Sequence, residues 1–200
     1  LKIFAGATGF GLARNVRKLY QELARVYDPG DRIFLFGFSR GAFTVRTLAG
    51  LINLCSIVDP QRCGSSPAAL DKAVSRAYRL YRRSYRTPLS RWLRGKPDPR
   101  EVDVFKREHC PGQASASIAF LGVWDTVDAV GVPLQLGEIV NATVYRFKFP
   151  QLSLCPCVER ACHALAIDEE RRTFQPLLWD RSERVEQVWL GHTIVVKRGS

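Results

Sequence analysis

A short glycine-rich motif around Ser39 is the part of the sequence best suited to chemistry. Gly37-Phe38-Ser39-Arg40-Gly41 follows the apolar run Ile33–Phe36 and precedes residues 42–54, whose apolar side chains recur at helical spacing. A serine on a tight turn between strand and helix, with small residues two before and two after it, projects its hydroxyl above the sheet. The helix that follows directs its first amides, led by that of Arg40, towards a developing oxyanion. The motif predicts that Ser39 is a nucleophile; a structural serine in a glycine-rich turn is the alternative.

A nucleophilic serine needs a base and an acid, and this type of turn predicts the chain order Ser, Asp, His. Asp125 directly follows the apolar run Ile118–Trp124. The carboxyl end of such a predicted strand is where α/β proteins assemble their sites. Asp125 is therefore the candidate acid, with Asp128 as a nearby substitute and a helix cap or turn former as the alternative role.

Three histidines are candidates for the base. His109 precedes the candidate acid in a proline-rich stretch, so chain order argues against it. His163 lies in a segment predicted to be helical, residues 158–169, where a histidine beside apolar residues is more often part of the core. His192 follows the predicted strand Val185–Leu190 with a glycine before it, where a loop histidine is expected to emerge beyond a sheet. His192 is favoured, and His163 is the alternative base.

The elements that must hold these residues follow one another as in a doubly wound α/β sheet. Apolar periodicity predicts a helix from Ala13 to Val26, after the glycine-rich loop Gly6–Gly11, and a strand buried on both faces at Ile33–Phe36. Further along, the sequence predicts a helix at 42–54, a loop at 56–66, a helix at 68–85, an irregular basic insertion at about 86–113, strands at 117–124 and 185–190, an extended segment at 140–149 and a helix at 158–169. We interpret residues 1–200 as one α/β domain.

Composition excludes several other classes of protein. The chain has 200 residues, of which 46% are hydrophobic and 24% charged, as in globular domains. No apolar stretch approaches the roughly 20 residues that cross a bilayer, and no signal peptide is evident, so cytoplasmic location and signal-independent secretion both stay open. The sequence contains no Met and starts inside a pattern, which indicates a fragment. Six cysteines without metal-site or framework spacing predict reduced thiols, no metal and no cofactor.

The chain is strongly basic, and much of the excess lies in one stretch. Thirty Lys and Arg against nineteen Asp and Glu give a net charge of +11. Such a field attracts phosphate groups of anionic lipid or of nucleic acid. Arg76, Arg79 and Arg83 share one face of the predicted helix at 68–85. A solvated Arg-rich helix and loop is the default interpretation. Peripheral contact with an anionic membrane surface is the functional alternative, and nucleic acid is less favoured. Oligomeric state stays open.

Three motifs, in order along the chain, resemble one known family. They are Phe34–Ala42 (FLFGFSRGA), Phe120–Val127 (FLGVWDTV) and His163–Glu169 (HALAIDE). Together they resemble the uncharacterised α/β-hydrolase domain family that includes type VI secretion phospholipase effectors, over most of residues 6–190. The resemblance implies a mostly parallel sheet of α/β-hydrolase type, incomplete at both ends, and a serine esterase or lipase that acts on phospholipid acyl esters.

The chain departs from that family's pattern at both ends. Family members usually open with a strand and an Asp-Gly-Thr turn, and this sequence begins after that point. Where they read Phe-Pro-Gly-x-His-x-Asp-Val-Gly-Gly-Gly, this chain reads Leu190-Gly191-His192-Thr193-Ile194. The second amide of the oxyanion hole is expected from a loop that lies upstream of Leu1. We therefore expect these 200 residues to hydrolyse esters poorly on their own.

The sequence thus predicts a serine hydrolase that cleaves a lipid or small carboxylic ester through Ser39, Asp125, His192 and an acyl-enzyme. The alternative from another class is a catalytically inactive module that binds anionic membrane or nucleic acid through the Arg-rich segment. A third interpretation takes Gly6–Gly11 as a nucleotide-phosphate loop, but that segment lacks both the G-x-G-x-x-G order after a strand and the Lys-Ser/Thr of a P-loop.

Overall fold

The fold is a mixed sheet with helices packed against it, as an α/β chain predicts. A computed structural model describes residues 9–64, 66–84, 98–110, 116–126, 154–165, 179, 185–190 and 193–198. The helices are α1 (Gly9–Val26), α2 (Arg40–Cys55), α3 (Pro60–Cys63), α4 (Pro67–Ser84) and α5 (Pro99–His109). The strands are β1 (Ile33–Phe38), β2 (Ile118–Trp124), β3 (Arg160–Ala164), β4 (Val185–Leu190) and β5 (Thr193–Arg198). Within these ranges, no helix has the length and apolar character needed to span a bilayer.

The five strands lie in the order β1-β2-β3-β5-β4. The first three are parallel, and β5 runs antiparallel to both β3 and β4. Phe38, Trp124, Ala164 and Thr193 form one continuous row of paired residues across β1, β2, β3 and β5. The carboxyl ends of the three parallel strands therefore meet at one edge of the sheet. The strands predicted near 33–36, 117–124 and 185–190 are confirmed; the α/β-hydrolase type of sheet and the single-domain interpretation stay predictions.

Helix α2 forms the centre of the core. Every residue from Ala42 to Ile52 is buried, because the sheet covers one side of the helix while α1 and α4 pack on the other. A helix enclosed in this way is apolar almost all round, as this sequence is. The charged exception is Arg46, which is 5% exposed; Thr44 and Thr47 are also polar and buried. The outer helices are amphipathic, as their periodicity predicts, and α1 buries Val16, Tyr20 and Ala24 against this core.

The two faces of β1 differ, and the prediction of a strand buried on both faces is wrong. Ile33 is 6% exposed on the face that α2 covers, whereas Phe34, Phe36 and Phe38 are 50%, 57% and 68% exposed on the other. The Phe36 and Trp124 rings contact one another on that second face, 6.3 Å apart between centroids. Among the described residues, the helices of the fold thus cover only one face of β1.

Several local predictions are also overturned. The helix predicted at 158–169 is wrong, because Arg160–Ala164 is strand β3, which pairs with β2 on one side and β5 on the other. Within the segment predicted to be irregular, α5 forms because Asp98 caps it through the Arg100 amide and Pro99 occupies its first turn. The predicted loop at 56–66 contains the short helix α3, and α1 already begins at Gly9, inside the predicted glycine-rich loop. Residues 140–149 lie outside the described part.

Candidate active site

Ser39 makes the turn between β1 and α2 by itself. Its backbone torsions are φ 53° and ψ −119°, a region that L-residues seldom occupy and that stores strain. The Ser39 amide donates to the Trp124 carbonyl at 2.9 Å, and the Ser39 carbonyl accepts from the Phe43 amide at 3.3 Å. Its side chain is half-buried and makes no capping hydrogen bond to α2, although serine at this position usually does. The backbone is held on both sides while the hydroxyl takes no part in capping.

Gly37 allows the turn to close. A Cβ atom at Gly37 would lie 2.6 Å from the Gly41 carbonyl oxygen and 2.7 Å from the Ala42 nitrogen, which are backbone atoms that cannot move aside. A Cβ atom at Gly41 would meet no described atom within 4 Å. Of the two small residues that the motif predicts for close passage, only the first is required for it in the described structure.

Asp125 occupies the matching position on the neighbouring strand. Phe38 and Trp124 are paired, so Ser39 and Asp125 each directly follow a member of the same pair, on strands about 4.8 Å apart. Asp125 is half-buried, has φ 40°, and donates its amide to the Ala164 carbonyl at 3.1 Å. The structure therefore brings the turns that carry Ser39 and Asp125 together at the carboxyl edge of the sheet.

His163 is a buried strand residue, and its predicted helical setting is wrong. It pairs with Val123 within the sheet and has no exposed surface. Its Nε2 accepts a hydrogen bond from the Thr126 amide at 3.4 Å, which requires the proton on Nδ1. Burial, followed by the charge of Arg46, lowers the pKa of His163 to about 4. The ring is therefore neutral near pH 7 and helps to hold the residue after Asp125.

Sequence reasoning missed the groups around His163. Trp179 meets the His163 ring edge-on, with 5.5 Å between centroids, and the Arg46 guanidinium lies 4.8 Å above the Trp179 ring. The Thr126 amide donates the hydrogen bond that the His163 ring accepts. The one signal for this cluster in the sequence is an arginine among the apolar residues of α2; nothing local marks Trp179.

The remaining candidates differ in how far the structure describes them. His192 and Asp128 lie outside the described residues. The residues on either side of the segment that contains His192, Leu190 and Thr193, pair with one another, and Thr193 also pairs with Ala164. His109 ends α5, with its Nδ1 3.8 Å from the Cys63 Sγ.

The described cysteines form no disulfide with one another. Burial raises the pKa of Cys55, Cys110 and Cys155 to about 12, so these three stay protonated and unreactive near neutral pH. In the part of the chain that the structure covers, no three His, Cys, Asp or Glu side chains are grouped as metal ligands.

These features define the class: an α/β protein with a strained serine and an aspartate on adjacent turns at the carboxyl edge of its parallel strands. The chain belongs to the family described as the type VI secretion system (T6SS) phospholipase effector Tle1-like catalytic domain, which matches residues 1–193. The resemblance carried by the three sequence motifs is thereby confirmed.

One relative among curated proteins is also similar. The uncharacterized protein YEL023C of Saccharomyces cerevisiae is 28% identical over 178 residues, which cover 84% of this chain and 21% of that protein. The matched region thus spans about a fifth of the relative's length. No solved structure matches the chain.

Proposed function

We propose that this chain carries the reacting groups of a serine hydrolase that cleaves carboxylic esters of phospholipids, with Ser39 as nucleophile, Asp125 as acid and His192 as base. The observation that carries the proposal is the Ser39 turn, with φ 53°, a hydroxyl unused as a cap and Asp125 on the adjacent turn. The family description, which names phospholipase effectors, supports the substrate class.

The reaction divides into two acyl transfers. The base removes the Ser39 hydroxyl proton as Oγ attacks the ester carbonyl carbon, and the carbonyl oxygen becomes an oxyanion near the Arg40 amide at the start of α2. The intermediate collapses, the alcohol leaves with the proton from the base, and the acyl group stays on Oγ. Water, deprotonated by the same base, then releases the carboxylic acid and restores Ser39.

The properties of His163 favour His192 as the base. A general base works best with a pKa near the working pH, whereas the pKa of His163 is lowered to about 4 and its Nε2 already accepts from Thr126. His192 is preferred because Thr193 pairs with Ala164, whose carbonyl accepts the Asp125 amide. His163 and Ala164 together bind two consecutive amides after β2, so we assign His163 as a positioning residue for Asp125.

Covalent labelling tests the nucleophile directly. A fluorophosphonate probe, followed by peptide mapping, should modify Ser39 in the native chain and fail in Ser39→Ala. Ser56→Ala is the matched control, because Ser56 also has positive φ (60°) but lies at the opposite end of α2. Labelling that persists in Ser39→Ala, or that never reaches Ser39, would contradict the serine-hydrolase proposal and favour a non-catalytic binding module.

The two histidines can be separated by kinetics. His192→Gln should lower turnover of a short soluble ester by orders of magnitude, as loss of a triad member does. His163→Gln keeps an acceptor for the Thr126 amide and should retain most of the turnover. The reverse pattern would make His163 the base.

A further inference from the structure

Three arginines of α4 line a surface cavity between that helix and α5. The cavity has a volume of about 370 Å³, within the range of small-ligand sites, and Arg76, Arg79, Leu80, Arg83 and Glu101 form its walls. The arginines share one helix face, as their spacing predicts. The lining carries three positive charges and one negative charge, so the cavity suits an anion.

Two ion pairs hold the outer arginines in place and leave the central one available. Arg76 pairs with Glu108 at 2.6 Å, and Arg83 pairs with Glu101 at 2.8 Å. Both ion pairs link α4 to α5 beside the cavity. Arg79 lies between them, is exposed, and makes no ion pair with any described residue. Among the arginines that line the cavity, Arg79 is therefore the one that no described carboxylate pairs with.

We infer that the α4–α5 cavity binds a phosphate group, with Arg79 as its main donor and Arg83 as a second donor that turns from Glu101 to the ligand. A guanidinium presents two parallel N–H groups that match two phosphate oxygens, which favours phosphate over a spherical anion. The phosphate can belong to a lipid headgroup or to a soluble molecule. Phosphate binding at this cavity does not require the Ser39 chemistry, and it is measured by binding experiments alone.

The first experiment compares Arg79→Gln with Arg107→Gln. Both variants remove one positive charge from the helical layer, but Arg107 is exposed on α5 and does not line the cavity. Binding would be measured by sedimentation with phosphatidylcholine vesicles that contain phosphatidic acid, and by calorimetric titration with inorganic phosphate. Arg79→Gln should weaken binding roughly fivefold and Arg107→Gln much less. Binding to vesicles alone identifies a headgroup site, whereas binding to both probes identifies a general phosphate site.

The second experiment changes the sign of the effect. Glu101→Gln removes the carboxylate that competes for Arg83, so phosphate binding should become several-fold tighter. Glu22→Gln is the control. Glu22 pairs with Arg25 on α1, so this substitution removes the same charge away from the cavity. Far-ultraviolet circular dichroism of each variant checks that the helices remain.

Three results would overturn the inference. Equal losses in Arg79→Gln and Arg107→Gln would mean that net charge alone attracts the ligand. An equal increase in phosphate affinity in Glu101→Gln and Glu22→Gln would also mean that net charge alone attracts the ligand. Tighter binding to duplex DNA than to either phosphate probe, lost in Arg79→Gln, would make nucleic acid the partner instead.

Discussion

The Ser39 turn and the α4–α5 cavity are both candidate sites, but different parts of the chain hold them in place. Backbone contacts define the first: a paired strand, a positive φ and the close crossing at Gly37. Long side chains define the second, tied by ion pairs that are partly exposed to water. Catalytic geometry must be held to within a fraction of an ångström, whereas a phosphate site tolerates mobile donors and responds to salt.

The largest expected effect is on chemistry at the Ser39 turn. Ser39→Ala should lower ester turnover by several orders of magnitude, because the nucleophile is lost. The free energy of unfolding should stay within about 1 kcal/mol, since Ala preserves the backbone contacts and the hydroxyl makes no cap. A phospholipid assay and urea denaturation check both parts. Turnover that survives in the variant would remove the distinction between the two sites.

The next effect is on the backbone framework. Gly37→Ala should destabilise the fold by about 3 kcal/mol, because the new Cβ would overlap the Gly41 and Ala42 backbone. Gly41→Ala adds the same atom where no described atom lies within 4 Å, so the free energy of unfolding should change by less than about 1 kcal/mol. Urea denaturation of both variants provides the comparison. Equal stabilities would contradict the close crossing at Gly37.

The third effect tests the buried support behind Asp125 through pH. The pKa of His163 is lowered to about 4 when folded, so between its ordinary value of 6.5 and about 4 the unfolded chain binds the proton more readily. Stability is fully present above that window and falls as pH falls through it, by about 2–3 kcal/mol between pH 7 and pH 4.5.

His163→Gln should remove that part of the pH dependence, measured as the free energy of unfolding at several pH values. His109→Gln is the comparison variant. Burial and Arg76 also lower the pKa of the half-buried His109, but less strongly, so its removal should change the profile in the same direction by a smaller amount. If both variants retain the native pH profile, the low pKa of His163 is wrong.

The smallest effect is expected at the ion pairs of the cavity. Arg76→Gln removes the pair with Glu108, whose side chains are 40% and 49% exposed. Exposed pairs contribute little, so the free energy of unfolding should change by less than about 1 kcal/mol. A loss comparable with that of Gly37→Ala would show that the cavity is part of the structural framework, and its contrast with the Ser39 turn would disappear.

Much of the candidate site follows from short stretches of sequence. The run Ile33–Phe36 and the residues Gly37–Gly41 specify a strand, a tight turn and a helix start through local hydrogen bonding and sterics. The periodicity of α1 and α4 predicts their amphipathic character, although Leu19 and Val26 of the α1 pattern are 43% and 73% exposed. The three motifs predict the family. The Asp98-Pro99 cap of α5 is also local: Asp98 accepts from the Arg100 amide, and a proline in the first helical turn favours a helix start rather than irregular structure.

Tertiary structure decided the rest. Arg160–Ala164 has only five residues and no strong local preference, and it becomes a strand because β2 and β5 supply hydrogen-bond partners that are distant in sequence. The same pairing makes His163, which the sequence predicts to be helical, a buried acceptor for the Thr126 amide. Packing also decided which face of β1 is covered, and that Glu101 and Glu108 pair with Arg83 and Arg76 rather than with Arg79. Local sequence specifies local geometry, but contacts between distant segments depend on the whole chain's arrangement.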